Sequence, residues 1–524
     1  MMTMGKKSVK LKKENVPMIS KRLKLQSCLI GKDGFCCKNC LMGPCKILNK
    51  EQRSVCGASQ DLIVAMNILR FVTGGAAAHC GHAYHLLEFL NKKFPKNYIK
   101  AKSPSYLYNL WKELSIVPKI RFEPFKEISE ALHISTMGVN SDYQDILKWC
   151  MKLGIIDGYY GLYLATELED EKFGKPKIRK GKLNLGCLDP SKVNIAIHGH
   201  EPILAEAIVK EAFNDRNVNL VGVCCTGASL LAKHGIPLAA NFILQEDVIA
   251  TGIVDAMVVD LQCVMPSLSD LCECYHTKLI TTNEIARMPN ALHMPVKNEK
   301  DAQKIAKKII KIARENRKNR RKEEGFEKRH EKPKEVVVGF SEENINTKKL
   351  AGMIENKEIK GIIGVIGCVN PRTKAEEWIN VLKQLSKKYI ILTTGCMAFE
   401  FGKHNLLDGK RFFHLGSCVN NARIAEIFKR IADHLGKEIT DMPFLISCPM
   451  PITEKSIAIG FFFASLGCDI HLGYPFLISS NTNIACFLEN VLENKFKSKI
   501  FLEKSPKKFY DTIKTEGLRY TFPK

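Results

Sequence analysis

The sequence predicts an α/β chain: a helical N-terminal segment followed by two doubly wound parallel-sheet domains. Short apolar runs rich in Val and Ile and broken by Gly, such as VNIAIHG, VNLVGVCC, GIIGVIGC and YIILTTGC, have the composition of strands buried on both faces. From about residue 173 these runs alternate with helical patterns, as in NIAIHG, EPILAEAIVKEAF, VNLVGVCC and ASLLAKHG. Such alternation argues for a parallel sheet covered by helices. Before residue 173 there is no strand alternation, and helical spacing takes over; in DYQDILKWCMKLGI, Ile146, Trp149 and Cys150 share a face. The expected domains are 1–172, 173–330 and 331–524.

The apolar runs end on ligand-type residues. Five finish on Cys225, Cys263, Cys368, Cys396 and Cys418, and a sixth finishes on His198. Ligands of doubly wound sheets sit beyond the carboxyl ends of the strands. Five thiolates and an imidazole at such ends suit a metal–sulfur cluster better than a lone zinc, which closes a structural shell with four ligands. The two sheet domains could share that cluster. A buried cysteine is ordinarily a small core residue, but five at one structural position are poorly explained that way. HGH offers His198 and His200. CC offers Cys224 and Cys225, with Cys225 preferred because it lies nearer the following turn.

The N-terminal motif CLIGKDGFCCKNCLMGPC…VCG carries Cys28, Cys36, Cys37, Cys40, Cys45 and Cys56. Tight loops with Gly and Pro let several sulfurs converge on one cubane, and Cys37, Cys40, Cys45 and Cys56 make a set of four. Adjacent side chains diverge, so Cys36 and Cys37 should serve different sites. Cys28 and Cys36 are then left as a pair, which a two-fold dimer would complete. A zinc knuckle is the plainer alternative.

Composition narrows the class. The 524 residues are 45% hydrophobic and include 20 cysteines, a pattern of metal binding in a reducing cytoplasm more than of a secreted disulfide scaffold. No secretory h-region follows the basic N-terminus, and no 18-residue apolar stretch exists, so neither a signal peptide nor a transmembrane helix is expected. The net charge is +24, and much of the basicity lies in Lys297–Lys334. Ile305, Ile309 and Ile312 make the first half of that stretch an amphipathic helix with a solvated basic face, and Gly325 and Pro333 make the second half a linker. Aromatic residues are not interleaved there apart from Phe326, so nucleic acid is not the expected partner.

Read in order, FCCKNCLMGPC, GGAAAHCGHAYH, HGHEP, CCTG, VDLQCVMPSLSDLCECYHTKLITT, GCVNP, TTGC, GSCVNNAR and EKSIAIG resemble the nickel–iron–sulfur, anaerobic carbon monoxide dehydrogenases from Cys28 to about Gly473. The resemblance implies a helical domain with two 4Fe–4S clusters and two Rossmann-like domains holding a nickel–iron cluster. It gives the outermost 4Fe–4S cluster Cys28 and Cys36 from each of two subunits. It gives the inner one Cys37, Cys40, Cys45 and Cys56. The Ni–Fe–S cluster takes His198, Cys225, Cys263, Cys368, Cys396 and Cys418. The chain is shorter than the usual member, with gaps before His198 and between Cys396 and Cys418.

The implied reaction is CO + H2O → CO2 + 2H+ + 2e−, with electrons leaving to a ferredoxin-like carrier and an acetyl-CoA synthase subunit as a further partner. Lys455 matches the lysine that offsets developing carboxylate charge. His79, His82 and His85 recur every three residues, drifting by about 60° per step along one side of a helix. They match a proton relay with His79 as base, which Glu88 extends toward solvent. Ile459, a turn past Lys455, would wall the CO pocket. Two other readings use the same scaffold: a hybrid-cluster enzyme acting on hydroxylamine, and a non-catalytic cluster-bearing electron carrier or redox sensor. CCTG, VDLQC and Lys455 favour the dehydrogenase over the first. Lys455 and His79 favour it over the second, since a carrier needs neither. Cys80, Cys150, Cys187, Cys272, Cys274, Cys448, Cys468 and Cys486 are expected to be packing residues.

Overall fold

The computed structural model describes residues 18–119, 123–320, 331–474 and 477–518. The basic N-terminus before residue 18 and the linker stretch 321–330 lie outside the described residues. The chain divides into two compact units. One is Gly181–Glu335 with the N-terminal residues up to Leu25; the other joins Gln26–Lys180 to Val336–Lys524. Segments 26–172 and 336–524 therefore fall in a single unit.

In the described part of residues 1–172 the only strands are β1 (Cys36–Cys37) and β2 (Cys45–Lys46), an antiparallel ribbon; the rest is helices and loops. The long helix Gln60–Phe89 starts at Ser59, whose hydroxyl accepts the Leu62 N–H at 3.2 Å. That bond satisfies one of the donors a helix start leaves open. Its apolar content is high enough for a membrane span by length and composition, but 67% of the relevant window is buried inside the protein, so the hydropathy is that of a core helix. It packs against helix Tyr143–Ile156 and helix Glu454–Ser465. In helix 143–156, Ile146 and Cys150 are fully buried, and Trp149 is half-buried beneath the Lys152 ammonium.

Between helices Tyr143–Ile156 and Leu164–Phe173 the chain winds as a π-helix, Asp157–Tyr163. Its glycines admit close neighbours. A Cβ on Gly158 would fall 2.0 Å from the Phe462 ring, and one on Gly161 would fall 2.6 Å from the His79 Cβ. Phe462 belongs to helix 454–465, which connects two strands of the second sheet, Phe444–Cys448 and Asp469–Leu472. This tight packing is why the helical segment and that sheet form one unit.

The first sheet contains β3 (Arg179–Leu183), β4 (Val193–His198), β5 (Val218–Val223), β6 (Leu238–Ala240), β7 (Val254–Val259), β8 (Lys278–Thr281), β9 (Leu292–His293) and β10 (Lys334–Val338), in the order β10-β3-β6-β5-β4-β7-β8-β9. Its pairings from β3 through β9 are parallel. The second sheet contains β11 (Gly361–Val365), β12 (Tyr389–Thr393), β13 (Phe412–His414), β14 (Phe444–Cys448), β15 (Asp469–Leu472) and β16 (Ile500–Phe501), in the order β13-β12-β11-β14-β15-β16, all parallel. Strands β4, β7, β11, β12 and β14 are buried throughout, which explains why they read as continuous apolar runs. The expected α/β architecture is the observed one.

The basic helix runs over Glu299–Asn316. Ala302, Ala306, Ile309, Ile310 and Ala313 bury against helix Pro202–Ala212 and against β4, β7 and β8 of the first sheet, with Ile305 and Ile312 packed at the margin. Burial of each large apolar side chain of this kind is worth about 1.5–3 kcal/mol.

Candidate metal centre

In each sheet three adjacent strands carry ligand-type residues past their carboxyl ends. In the first, β5, β4 and β7 lead to Cys225, the HGH turn and Cys263; in the second, β13, β12 and β11 lead to Cys418, Cys396 and Cys368. In both sheets the strand order reverses beside these strands, at β4/β7 and at β11/β14. Such a switch point is where open α/β sheets bind ligands. Cys225, Cys368, Cys396 and Cys418 are buried, and Cys263 is half-buried.

The rim of the first sheet is built by left-handed backbone and two buried polar side chains. Cys224, Gln262 and Cys263 have φ of 59°, 64° and 55°. Non-glycine residues adopt such angles at a cost, and they cluster at functional sites. Asp260 accepts the His200 N–H at 2.6 Å, the Leu261 N–H and the Glu201 N–H at 3.2 Å, and lies 3.5 Å from the Thr226 hydroxyl. It thus ties the HGHEP turn to the CCTG turn. Burial pushes its carboxyl up to about 8. Gly199 is required in that turn: its φ is 133°, and a Cβ would sit 1.8 Å from Asp260 Oδ1.

Gln245, fully buried, fixes the third loop. Its Nε2 donates to the carbonyls of Phe242 at 2.7 Å and Cys263 at 3.1 Å. Its Oε1 accepts the Met265 N–H at 2.8 Å and lies 2.9 Å from His198 Nε2. The two carbonyls set the amide orientation, so His198 Nε2 must donate and His198 Nδ1 is left bare; it has no hydrogen-bond partner.

Here the geometry departs from the preference for His198. A ring nitrogen of His200 lies within 4.8 Å of Cys225 Sγ, whereas His198 ends β4 with its side chain held by Gln245. The physical reason is the left-handed turn at Gly199, which carries the chain past the strand end before the second imidazole. For the CC pair the same contact is made by Cys225.

In the second unit, Lys455 and Ile459 are buried in helix Glu454–Ser465, which follows β14 at the switch point. His79 and His82 are buried on helix 60–89; His85 is half-buried and Glu88 exposed, where it accepts the Tyr84 hydroxyl at 2.6 Å. Sequence reasoning missed the carboxylates facing the histidines. His79 Nδ1 lies 2.7 Å from Asp157 Oδ1, and His82 Nε2 lies 3.0 Å from Glu169 Oε1. Burial pushes the Asp157 carboxyl up, opposed by His79 and then by the Lys455 ammonium. An aspartate between apolar Ile155–Ile156 and the glycine-spaced GYYG was the available signal.

The N-terminal cysteines form a surface cluster. Cys37 pairs with Cys45 across β1 and β2, and residues directly opposite share a face. Burial pushes the Cys37 thiol up, and so do the nearby Cys45, Cys56 and Cys40. The four sulfurs therefore share one neighbourhood, with Cys36 on the other face of its strand. Cys28 is exposed and accepts the Gly31 N–H at 3.4 Å. Leu29, Leu41, Met42, Leu48 and Val55, which lie between Cys28 and Cys56 in the chain, are exposed. Among the cysteines expected to pack, Cys80, Cys150, Cys272, Cys274, Cys448 and Cys468 are buried, Cys187 is half-buried and Cys486 is exposed. No cysteine is in a disulfide.

The donor set fits a metal–sulfur group: thiolates and a buried imidazole nitrogen at adjacent strand ends, on loops whose backbone is held in costly conformations. Comparison with known proteins agrees. The sequence profile of the Prismane/CO dehydrogenase family matches residues 35–101 and 91–507. Carbon monoxide dehydrogenase 1 of Methanosarcina mazei is 33% identical over 92% of this chain and 90% of its own length. Carbon monoxide dehydrogenase 1 of Carboxydothermus hydrogenoformans is 31% identical over 91% of each. The solved structure of carbon monoxide dehydrogenase IV from the same organism superposes with a TM-score of 0.90 at 31% identity, covering 97% of this chain and 96% of that one. The chain belongs to the Prismane/CO dehydrogenase family, among the carbon monoxide dehydrogenases.

Proposed function

We propose that this chain oxidises CO with water to CO2, two protons and two electrons at a nickel–iron–sulfur cluster. The observation that carries the reading is the pair of three-strand rims, each ending in soft ligands, in a chain whose full-length relatives are carbon monoxide dehydrogenases. The proposed ligands are His200, Cys225, Cys263, Cys368, Cys396 and Cys418, with His200 replacing His198. When bound, the cluster supplies a site for CO, an activated water and storage for two electrons.

The chain's own residues do the rest. Lys455 is 3% exposed, and an ammonium in a site shielded from water stabilises developing negative charge more strongly than one in solvent. His79, whose Nδ1–H is directed at Asp157, keeps Nε2 as its basic nitrogen. Ile459 adds an apolar wall. The ligand choice is tested by metal analysis of single variants. His200→Ala is expected to lose nickel and part of the iron, and His198→Ala to retain both; the reverse result restores His198 as the ligand.

Electrons leave through two 4Fe–4S clusters, the inner on Cys37, Cys40, Cys45 and Cys56. The outer is shared between the Cys28 and Cys36 of two copies in a homodimer. The exposed apolar side chains between Cys28 and Cys56 support that interface. Combined Cys28→Ser and Cys36→Ser should remove one cluster of iron per dimer and leave the inner cluster; unchanged iron would reject the bridging assignment. The acceptor is a ferredoxin-like carrier, and the compartment an anaerobic, reducing cytoplasm, the setting that keeps the thiols of a chain with 20 cysteines available to metal. A relative from Moorella thermoacetica is named as a subunit of carbon monoxide dehydrogenase/acetyl-CoA synthase, at 30% identity. Co-purification with an acetyl-CoA synthase subunit would test the same partner here.

A further inference from the structure

Glu246, the residue after Gln245, is a fully buried carboxylate seated on the N-terminal end of the chain. Its Oε2 accepts the N–H of Ile19, 227 residues earlier, at 2.6 Å. Its Oε1 pairs with Arg22 Nη2 at 2.7 Å and also accepts the Ser267 hydroxyl. Arg22 is the one cation paired with Glu246 among the described residues, and its Nη2 lies 3.7 Å from Met265 Sδ as well. A buried carboxylate deprived of its countercharge is strongly destabilising. The first unit therefore holds residues 18–25 against Glu246 by charge as well as by hydrogen bonding.

These contacts converge on the loop that carries Cys263. Gln245 holds that loop at the Cys263 carbonyl and the Met265 N–H, and Glu246 holds it at Ser267, where helix Ser267–Cys274 begins. Successive side chains on a helix diverge by about 100°, so the two residues grip the loop from different sides. Gln262 and Cys263 carry φ of 64° and 55°, and such angles persist only where the surroundings over-determine them. Resting on the proposed role of Cys263 as a ligand, we infer that residues 18–25 are a strap of the metal centre, in which Arg22 and Glu246 are positioning residues that keep the Cys263 loop in its ligand-presenting conformation. Neither touches the reacting atoms. Glu246 acts through Ser267, and Arg22 acts through Glu246 and Met265.

Arg22→Ala tests the strap, since a side chain 35% exposed can be removed without opening the core. Competition against a chelator should show nickel affinity lowered by about 10–100-fold, the usual cost of losing an outer-shell partner of a metal ligand. Arg22→Lys, which keeps the charge, should recover part of it. A readout that needs no metal is alkylation of the full-length, metal-free protein, mapped by mass spectrometry. Cys263 should react faster in Arg22→Ala than in the parent, while Cys225, on a separate loop, should keep the parental rate. Ile19→Pro deletes the N–H donated to Glu246 at a helix position that accepts proline, and should act in the same direction even where Arg22→Ala does not fold. Equal gains in reactivity at Cys263 and Cys225 would mark a general loosening and overturn the strap, as would parental nickel affinity with parental Cys263 reactivity. Cys263→Ser separates the two readings. Nickel retained in Cys263→Ser would reject the ligand assignment itself, whereas nickel lost there beside parental nickel in Arg22→Ala would overturn the strap alone.

Discussion

Replacing His79 by Ala is expected to lower CO-dependent turnover by about 10²–10⁴-fold, the contribution of a general acid–base group. The imidazole is buried, its Nδ1 is fixed by Asp157 at 2.7 Å, and its Nε2 has no other partner. No group on the same helix stands in for it: His82 is held by Glu169, and His85 lies nearer solvent. His82→Ala should cost less, because water can bridge an interior step of a relay and cannot replace the first acceptor. The measurement is dye reduction under CO on preparations matched for nickel. Equal loss of metal in the variant would mark His79 as structural, and parental turnover would remove it from the reaction.

Lys455→Ala is the second large effect, a fall of about 10²–10³-fold, or roughly 2.7–4 kcal/mol of barrier, the usual cost of deleting one donor aimed at developing charge in a dry site. Helix 454–465 holds the lysine at 3% exposure, and its charge acts on Asp157 through space. Lys455→Arg keeps the charge but moves it and changes its shape, so it should recover only part of the rate. A loss confined to KM would mean that Lys455 binds substrate and reacting state alike. A loss confined to kcat would support the assigned role.

The parallel sheets were legible because their strands are buried on both faces. Val- and Ile-rich runs ending on Cys225, Cys263, Cys368, Cys396 and Cys418 announce both the strands and the rim. What stayed hidden depends on side-chain direction and on distance along the chain. HGH holds two imidazoles two residues apart, and only the turn at Gly199, closed over Asp260, separates the one held by Gln245 from the one beside Cys225. Asp157 and Glu169 lie 78 and 87 residues from the histidines they face, and a π-helical register shift aligns them; helical periodicity at 3.6 residues does not reveal it. The union of the helical segment with the second sheet was likewise unreadable, since it rests on Gly154 and Gly158 admitting Phe461 and Phe462, where an added Cβ would fall 2.6 and 2.0 Å from them.

The most direct measurement is nickel, iron and sulfide analysis of anaerobically purified protein, paired with CO-dependent reduction of a viologen dye on the same sample. The expected result is a brown protein whose dye reduction scales with its nickel content across preparations, with iron sufficient for the 4Fe–4S clusters besides. A colourless protein holding only zinc, or a nickel-replete protein that reduces no dye under CO, would contradict the assignment.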